Sequence, residues 1–237
     1  MKIEKENPPI VSVIICVYNR KGLITRALDS LQNQTFQDFE TIFIDDGSTD
    51  GTSEIIFNYI KKNPRSKYIR RSNRNLSYSK NTGILISQGT YITFLDSDDE
   101  YKKEHLDQMV KFMDRNPECD FIHSSPEIIG NSEDMWLIDA RDTSKLINVK
   151  DCVVGPTFFG RKEVFVKLSG FKDVAYAEDF DFFNRLIDSK LFKVKKLDEK
   201  TYIYYKSIED SLTNVAKRLF RNNLISNDLN NLKKLKA

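Results

Sequence analysis

Three apolar runs in the first hundred residues each end in polar or acidic side chains, and this arrangement limits the folds open to the chain. The runs VSVIICV, FETIFI and YITFL begin at Val11, Phe39 and Tyr91. The first is nearly continuous and β-branched, which is typical of a parallel strand buried on both faces. The residues that follow the three runs are Tyr18-Asn19, Asp45-Asp46-Gly47-Ser48 and Asp96-Ser97-Asp98-Asp99.

Helical segments separate these predicted strands. Apolar residues recur with the 3.6-residue period of a helix between Leu23 and Leu31, after the first strand. The elements predicted next are a helix over 52–62, a strand at 67–70 and a helix over 79–87. Ser48 or Thr49 offers an N-cap for the first of these helices. Strands that alternate with helices in this way predict an α/β fold with a doubly wound, mostly parallel sheet.

The second half of the chain is less regular and is predicted to be α+β. Its predicted elements are helices over 102–115, 161–168 and 178–189, and strands at 120–123, 155–160, 193–195 and 201–205. A chain of 237 residues is near the largest size that one hydrophobic core organises. We therefore expect one domain over 1–213, with halves at 1–99 and 100–213. The remaining segment, 214–237, is predicted to be a basic amphipathic helical tail.

Composition and charge exclude several classes of protein. The 37 Lys and Arg residues against 35 Asp and Glu residues give a net charge of +2, too even to indicate a nucleic-acid partner. Cys16, Cys119 and Cys152 lack metal-ligand spacing and suit a reducing compartment. No stretch has the apolar character of a secretory signal or of a membrane span. We expect a cytoplasmic protein whose tail contacts the cytoplasmic face of the membrane or a partner, or packs on the domain.

The acidic residues at the strand ends predict a metal site. Taken singly, an Asp-Gly-Ser sequence is common turn chemistry, and an aspartate after a strand can simply cap a helix. Parallel strands, however, bring these ends to one edge of the sheet, where gathered carboxylates repel one another unless a cation lies among them. Oxygen ligands alone favour Mg²⁺ or Mn²⁺, which bind through one or two carboxylates plus substrate phosphates. The expected ligand is therefore a metal diphosphate.

A second acidic cluster, Glu178-Asp179, opens the helix predicted over 178–189. Carboxylates at a helix N-terminus are favoured by the macrodipole, so one interpretation is purely structural. The other is a general base, which a hydroxyl nucleophile requires. Both interpretations remain open on these residues alone.

Five segments together resemble the inverting family 2 glycosyltransferases, which have the GT-A fold. They are VSVIICVYNR, QTFQDFETIFIDDGSTDGT, NTGILISQGTYITFLDSDD, GFKDVAYAEDFDFFNRL and the late SLT, in the family's order and spacing across residues 9–213. The resemblance implies a transferase whose half at 1–99 binds a nucleoside diphosphate sugar, with UDP expected before dTDP or GDP. The half at 100–213 would hold a saccharide, lipid-linked or protein acceptor. The implied setting is the synthesis of a cell-surface polysaccharide or glycoconjugate.

The resemblance also assigns roles to particular residues. Asp46 matches the aspartate that contacts the nucleobase, and Tyr18 matches a tyrosine that packs near it. In the DxD motif Asp96-Ser97-Asp98, the last carboxylate holds the metal on the diphosphate and the first reaches the ribose or a metal-bound water. Asp179 of the Glu178-Asp179 motif is the implied base of a single inverting displacement. The implied donor-binding residues are Val17, Tyr18, Asn19, Asp46, Lys80, Asp96 and Ser97, and the implied cofactor is Mn²⁺ or Mg²⁺ on Asp98 and Asp96.

The chain departs from the family pattern at four positions. Cys16 replaces a proline before the strand-end tyrosine, and Ser77 and Lys80 stand where Gly and Arg are common. Lys80 still supplies a cation. Ser207 lies near the position of a late histidine that reaches the metal in relatives, and the chain's two histidines, His105 and His123, lie elsewhere. We therefore do not expect a histidine among the metal ligands.

Three other functions compete with glycosyl transfer. A receiver-like regulatory domain also carries aspartates at strand ends, but its usual length leaves half of this chain unexplained. A nucleotidyltransferase would need a Gly-rich phosphate loop after the first strand, and VYNRKG is not one. A non-catalytic protein that binds sugar nucleotides would not need both Asp98 and Asp179.

Overall fold

The first half of the chain alternates strands and helices. The computed structural model describes residues 7–72, 75–142, 144–174, 176–206, 213–214 and 216. The elements of the first half are β1 (Val11–Val17), α1 (Ile24–Gln32), β2 (Phe39–Asp45), α2 (Thr52–Ile60), β3 (Ser66–Arg70), α3 (Leu76–Ile86) and β4 (Tyr91–Phe94).

The described part of the second half has shorter strands, three α-helices and three short 3-10 turns. Its strands are β5 (Glu100–Tyr101), β6 (Phe121–Ser124), β7 (Glu127–Ile129), β8 (Trp136–Ile138), β9 (Leu146–Asn148), β10 (Phe159–Arg161), β11 (Val194–Leu197) and β12 (Tyr202–Tyr205). Its α-helices are α4 (His105–Arg115), α5 (Lys162–Lys167) and α6 (Glu178–Ser189). Short 3-10 turns lie at Ser132–Met135, Val149–Asp151 and Gly155–Thr157.

A seven-stranded sheet in the order β11-β6-β10-β4-β1-β2-β3 forms the centre of the fold. The strands β3, β2, β1 and β4 are parallel, and β10 runs antiparallel between β4 and β6. Val17 pairs with Asp45 in register, so the carboxyl ends of β1 and β2 lie side by side. Strands β2 and β3 follow on one side of β1, and β4 lies on its other side. The strand order therefore reverses at β1, and open α/β sheets bind ligands at such a topological switch point.

Helices cover both faces of this sheet, and successive residues of β1 point into two separate cores. Val13 and Ile15 pack with α1, α2 and α4 on one face, whereas Ile14 packs with α3, α5 and α6 on the other. The second core is rich in aromatic rings, including Phe121, Phe158, Phe165 and Phe182. Burial on both faces explains why the apolar run of β1 is nearly continuous. The predicted α/β class with a mostly parallel sheet is confirmed.

Two small sheets lie beyond the carboxyl edge of the central one. The first has the order β5-β12-β7, and the second is the antiparallel hairpin of β8 and β9. Neither the two-residue strand β5 nor the hairpin was predicted, because strands of two or three residues carry no readable alternation.

The structure corrects several predicted boundaries. The strand predicted at 155–160 is wrong in its first part, since Gly155–Thr157 form a 3-10 turn that contains Pro156, and pairing begins only at Phe159. The N-cap predicted at Ser48 or Thr49 is also wrong, because α2 begins after Gly51 in the left-handed region at φ 90°. The helix predicted from residue 79 begins three residues earlier, where the Asn75 side chain accepts a bond from the Tyr78 N–H.

The predicted tail helix at 214–237 lies outside the described residues except for Asn214 and Ala216. Among the helices that the structure describes, none has the length and apolar character required to cross a membrane.

Candidate active site

A cavity of about 550 Å³ opens at the carboxyl ends of β1, β2 and β4. All ten residues that the sequence analysis proposed for the site line this one cavity. They are Val17, Tyr18, Asn19, Asp46, Lys80, Asp96, Ser97, Asp98, Glu178 and Asp179. Residues separated by more than a hundred positions in the chain are thus brought to a single concave surface, which is the usual form of a small-molecule site.

The adjacent aspartates at the end of β2 have different environments. Asp45 is fully buried, and its Oδ1 accepts bonds from the N–H groups of Gly47 at 3.1 Å and Ser48 at 2.7 Å. Its Oδ2 accepts a 2.5 Å bond from the Tyr68 hydroxyl. Asp45 therefore shapes the turn. Asp46 lines the cavity and pairs with Arg71 at 3.2 Å between Oδ1 and Nε, so the turn interpretation applies to its neighbour instead.

Hydrogen bonds join the loops that follow β1 and β2. The Asn19 N–H donates to Ser48 Oγ at 3.0 Å, and the Thr49 N–H donates to Asn19 Oδ1 at 2.8 Å. Asn19 has φ of 51°, a left-handed conformation that asparagine tolerates. This turn leaves the ring of Tyr18 at the cavity mouth with 42% of its surface exposed. An exposed aromatic ring beside the cavity can stack on a flat ligand.

Three carboxylates gather after β4. Oxygen atoms of Asp96, Asp98 and Asp99 all lie within 4.8 Å of one another. Those of Asp99 are already engaged, because Tyr202 Oη donates to one at 2.6 Å and the Tyr205 N–H donates to the other at 2.8 Å. Asp96 and Asp98 line the cavity, so they are the carboxylates best placed to bind a ligand there.

Burial disfavours the ionised forms of these carboxylates. It raises the pKa of Asp96 to about 7, a shift that Lys80 opposes and Asp98 increases. The pKa of Asp98 is also raised by burial, with Arg20 opposing the shift. A divalent cation would stabilise the ionised forms, and an oxygen-only donor set suits Mg²⁺ or Mn²⁺. The residues present therefore fit the metal site that the sequence predicted.

Lys80 and Glu178 form a buried ion pair, with Nζ 2.8 Å from Oε1. Their side chains are only 4% and 13% exposed. The ammonium group also lies 4.9 Å from the centre of the Phe171 ring. Burial opposes the charge on Lys80, but Glu178, Asp96 and Asp179 outweigh it and raise the lysine's pKa. Lys80 thus places one fixed positive charge between the acidic cluster and the start of α6.

Both oxygens of Asp179 are held by backbone N–H groups. Gly155 donates to Oδ2 at 2.9 Å, and Phe180 donates to Oδ1, also at 2.9 Å. Ala177, at φ 55°, is the last residue before α6 and turns the chain so that Glu178 and Asp179 line the cavity. Burial and the neighbouring Glu178 raise the pKa of Asp179, while Lys80 and the two N–H bonds oppose the rise.

The far wall of the cavity consists of residues that were not predicted from the sequence. This wall includes residues of the β8–β9 hairpin and of the segment before β10, among them Leu137, Ile138, Ile147, Val153 and Pro156. Tyr176 joins it and donates from its hydroxyl to the Ile138 carbonyl at 3.2 Å. These residues come from a stretch without clear periodicity, so no sequence pattern indicated them. On the near side, Thr213 also lines the cavity, and the late SLT segment was the signal for it.

Neither histidine lines the cavity. His105 is fully buried, stacks on Tyr101 at 3.9 Å and shares a 2.7 Å hydrogen bond between Nδ1 and Thr201 Oγ1. His123 packs against the Phe183 ring at 4.8 Å. The three cysteines are free, and Cys16 and Cys152 line the cavity.

Comparison with known proteins identifies the family. The sequence profile described as Glycosyl transferase family 2 matches residues 12–168. The chain belongs to glycosyltransferase family 2. It is 31% identical over 225 residues to the uncharacterised glycosyltransferase EpsJ of Bacillus subtilis, a match that covers 87% of this chain and 64% of the relative. It is also 27% identical to the chondroitin synthase of Escherichia coli, over 92% of this chain and 35% of that enzyme. The chain thus spans less than two thirds of the length of either relative.

Solved structures confirm the GT-A fold predicted for this family 2 member. The first 349 residues of S. aureus TarS in complex with UDP-GlcNAc superpose with a TM-score of 0.66 at 22% identity, covering 92% of this chain and 67% of that one. The mannosyltransferase PcManGT from Pyrobaculum calidifontis, in complex with GDP-Man and Mn²⁺, superposes with a TM-score of 0.69 at 20% identity. That match covers 91% of this chain and 61% of the mannosyltransferase.

Proposed function

We propose that the chain transfers a sugar from a nucleoside diphosphate sugar to an acceptor hydroxyl, with inversion at the anomeric carbon. The observation that carries the proposal is one cavity lined both by the Asp96 and Asp98 carboxylates and by Asp179. Inverting transfer in one step needs stabilisation of the departing diphosphate and a base for the incoming hydroxyl. Family membership supports the same reaction.

The proposed donor is a UDP-sugar carrying a hexose or an N-acetylhexosamine. Structural neighbours bind UDP-GlcNAc and GDP-Man, so a nucleotide sugar suits this fold. Asp46 would bind the nucleobase, with Arg71 fixing its carboxylate and the exposed Tyr18 ring packing beside the base. Val17, Asn19 and Ser97 line the same part of the site and complete the donor contacts.

The proposed cofactor is Mn²⁺ or Mg²⁺, held by Asp98 and Asp96. When bound, such an ion offsets the negative charge that develops on the leaving diphosphate. The protein's own contribution is to keep two carboxylates together in a partly buried site, next to the buried cation of Lys80. Because Lys80 already pairs with Glu178, its charge acts on the donor from a fixed position.

Asp179 is the proposed general base, and the contacts of its neighbour favour this assignment. Glu178 is engaged by Lys80 at 2.8 Å, which ties its carboxylate to a buried cation. Asp179 accepts hydrogen bonds from the backbone N–H groups of Gly155 and Phe180, and a carboxylate has further lone pairs for an acceptor hydroxyl. Its burial-raised pKa also makes it a better proton acceptor than an exposed aspartate.

The setting proposed for this reaction is the cytoplasm, in the synthesis of a cell-surface polysaccharide or glycoconjugate. The acceptor would be a saccharide, a lipid-linked saccharide or a protein, bound against the wall formed by the β8–β9 hairpin. A basic tail at 214–237 would bring the enzyme to the cytoplasmic face of a membrane.

A thermal-shift panel of nucleotides, each with and without Mn²⁺, tests the proposed function. UDP or a UDP-sugar at about 100 times its Kd should stabilise the fold by about 2.7 kcal/mol, and only with the metal present. Stabilisation by nucleoside triphosphates in preference to diphosphates would favour a nucleotidyltransferase. Tight binding of a UDP-sugar without transfer or hydrolysis would favour the non-catalytic alternative.

A further inference from the structure

Gly155 lies closer to Asp179 than a residue with a side chain could. Its N–H donates to Oδ2 of the aspartate at 2.9 Å. A Cβ atom built on Gly155 would lie 2.7 Å from the Cβ and 3.2 Å from Oδ2 of Asp179. The three atoms nearest to such a Cβ all belong to Asp179. A side chain at position 155 would therefore collide with this aspartate before anything else.

The backbone conformation of Gly155 does not itself require glycine. Among the described residues, the glycines with positive φ are Gly47, Gly51 and Gly170. Alanine can therefore adopt the conformation of Gly155 without backbone strain. What glycine provides at this position is space for Asp179.

The turn that carries Gly155 is anchored to the central sheet. The Phe158 N–H donates to the Gly155 carbonyl at 3.0 Å, which closes the 3-10 turn. Thr93 of β4 donates from Oγ1 to the Phe158 carbonyl at 2.9 Å. Within the turn, Thr157 Oγ1 donates to the Val154 carbonyl at 2.7 Å. The Gly155 N–H is thus a donor whose position is set by the sheet and not by α6, the helix that carries Asp179.

We propose that Gly155 is the positioning residue of the general base: its N–H orients the Asp179 carboxylate, and its lack of a side chain lets that carboxylate reach the cavity. This inference rests on the proposed function, in which Asp179 takes the acceptor proton. Two donors from separate elements, Gly155 and Phe180, then hold the two carboxylate oxygens. Such fixation keeps the base in one orientation before substrate binds.

Gly155→Ala tests the role directly. The contact between the two Cβ atoms must lengthen from 2.7 Å to the 3.4 Å of ordinary van der Waals contact, a shift of 0.7 Å. Because misplacing a reacting group by about 1 Å can cost about 100-fold in rate, we expect a loss of about 10- to 100-fold in kcat. Release of UDP from UDP-GlcNAc with Mn²⁺, with water as acceptor, measures the rate, and KM for the donor should stay within about twofold. Gly22→Ala is the matched control, since nothing lies within 4 Å of a Cβ at that position.

A double-mutant cycle separates positioning from an independent effect. If Gly155 acts through Asp179, then Gly155→Ala causes no further loss of rate in the Asp179→Asn background. Multiplied losses in the double variant, or a wild-type rate for Gly155→Ala, would overturn the inference while leaving the base assignment intact. A wild-type rate for Asp179→Asn would instead show that the base assignment is wrong, and the role of Gly155 would fall with it.

Stability and crystallography provide a readout that does not need turnover. A crystal structure of Gly155→Ala should show the Asp179 carboxylate displaced and its bond to residue 155 lengthened, and an unmoved carboxylate would contradict the inference. If Gly155→Ala lowers the Tm, the substitution should lower it much less in the Asp179→Gly background, where the colliding Cβ is gone. An equal loss of Tm in both backgrounds would show that alanine collides with something other than Asp179.

Discussion

Replacing Glu178 with glutamine tests whether the Glu178 carboxylate stabilises the fold while the neighbouring Asp179 carboxylate acts in the reaction. The substitution removes the charge that faces Lys80, whose side chain is 4% exposed. Removing one partner of a buried ion pair costs about 3–5 kcal/mol, because the other charge stays buried. Glutamine still offers an oxygen to the ammonium group, and Asp96 and Asp179 remain near it, so we expect a smaller cost than this range, about 2–3 kcal/mol.

The paired substitution, Asp179→Asn, should have the opposite phenotype. The amide is nearly isosteric and removes a charge that burial disfavours, but its NH2 group cannot accept one of the two backbone N–H bonds, so we expect a cost of about 1 kcal/mol. Transfer should nevertheless fall by at least about 100-fold, since a positioned base contributes about 10²- to 10⁴-fold in rate.

Differential scanning fluorimetry and UDP release from UDP-GlcNAc measure the two effects. A loss of about 2–3 kcal/mol in a chain of this size corresponds to a fall in Tm of about 4–12 °C for Glu178→Gln. Turnover per folded molecule should survive in that variant, while Asp179→Asn should melt within about 2–4 °C of the wild type. If Glu178→Gln loses transfer and Asp179→Asn keeps it, the base has been assigned to the wrong carboxylate. A wild-type Tm for Glu178→Gln would show that the ion pair adds no stability.

Three further predictions concern regions outside the catalytic carboxylates. Burial lowers the pKa of His105 from 6.5 to about 3, so the unfolded chain alone binds this proton between those values and stability falls as the pH drops. Between pH 6.5 and 4.5, the free energy of unfolding of His105→Gln should therefore fall by about 2 kcal/mol less than that of the wild type. Urea titrations that show the same pH dependence for both proteins would contradict this. Tyr202→Phe removes the 2.6 Å bond to the buried Asp99 and should cost about 2–3 kcal/mol, so an unchanged urea midpoint would exclude that contribution. Deletion of 217–237, which carries six Lys and Arg residues, should reduce co-sedimentation with anionic vesicles, and equal binding by both proteins would remove the tail from the membrane proposal.

The parts of the fold that the sequence predicted are those encoded by local pattern. The apolar runs of β1, β2 and β4 are buried on both faces, so each strand can be recognised from its own residues without knowledge of its neighbours. The same runs place Asp46, Asp96 and Asp98 at strand ends, which a parallel sheet necessarily brings to one edge. The strand β5, with two residues, has no such pattern and depends on pairing with β12.

The contacts that decide the site's electrostatics are not local, and no spacing could reveal them. Lys80 and Glu178 are 98 positions apart and meet only because α3 and α6 pack on the same face of the sheet. Asp45 and Asp46 are adjacent in sequence, yet only the pairing of β2 with β3 shows that Tyr68 engages the first of them.

Calorimetric titration of UDP in the presence of Mn²⁺ tests the central claim that Asp98 and Asp96 hold a metal diphosphate. Wild-type protein should bind UDP with Mn²⁺, and chelation of the metal should weaken binding by at least about tenfold, or 1.4 kcal/mol. Asp98→Ala should lose the same metal-dependent part of the affinity, whereas Asp107→Ala, which removes a surface carboxylate paired with Lys111, should bind as wild type does. Binding of UDP and Mn²⁺ by Asp98→Ala with wild-type affinity would contradict the account.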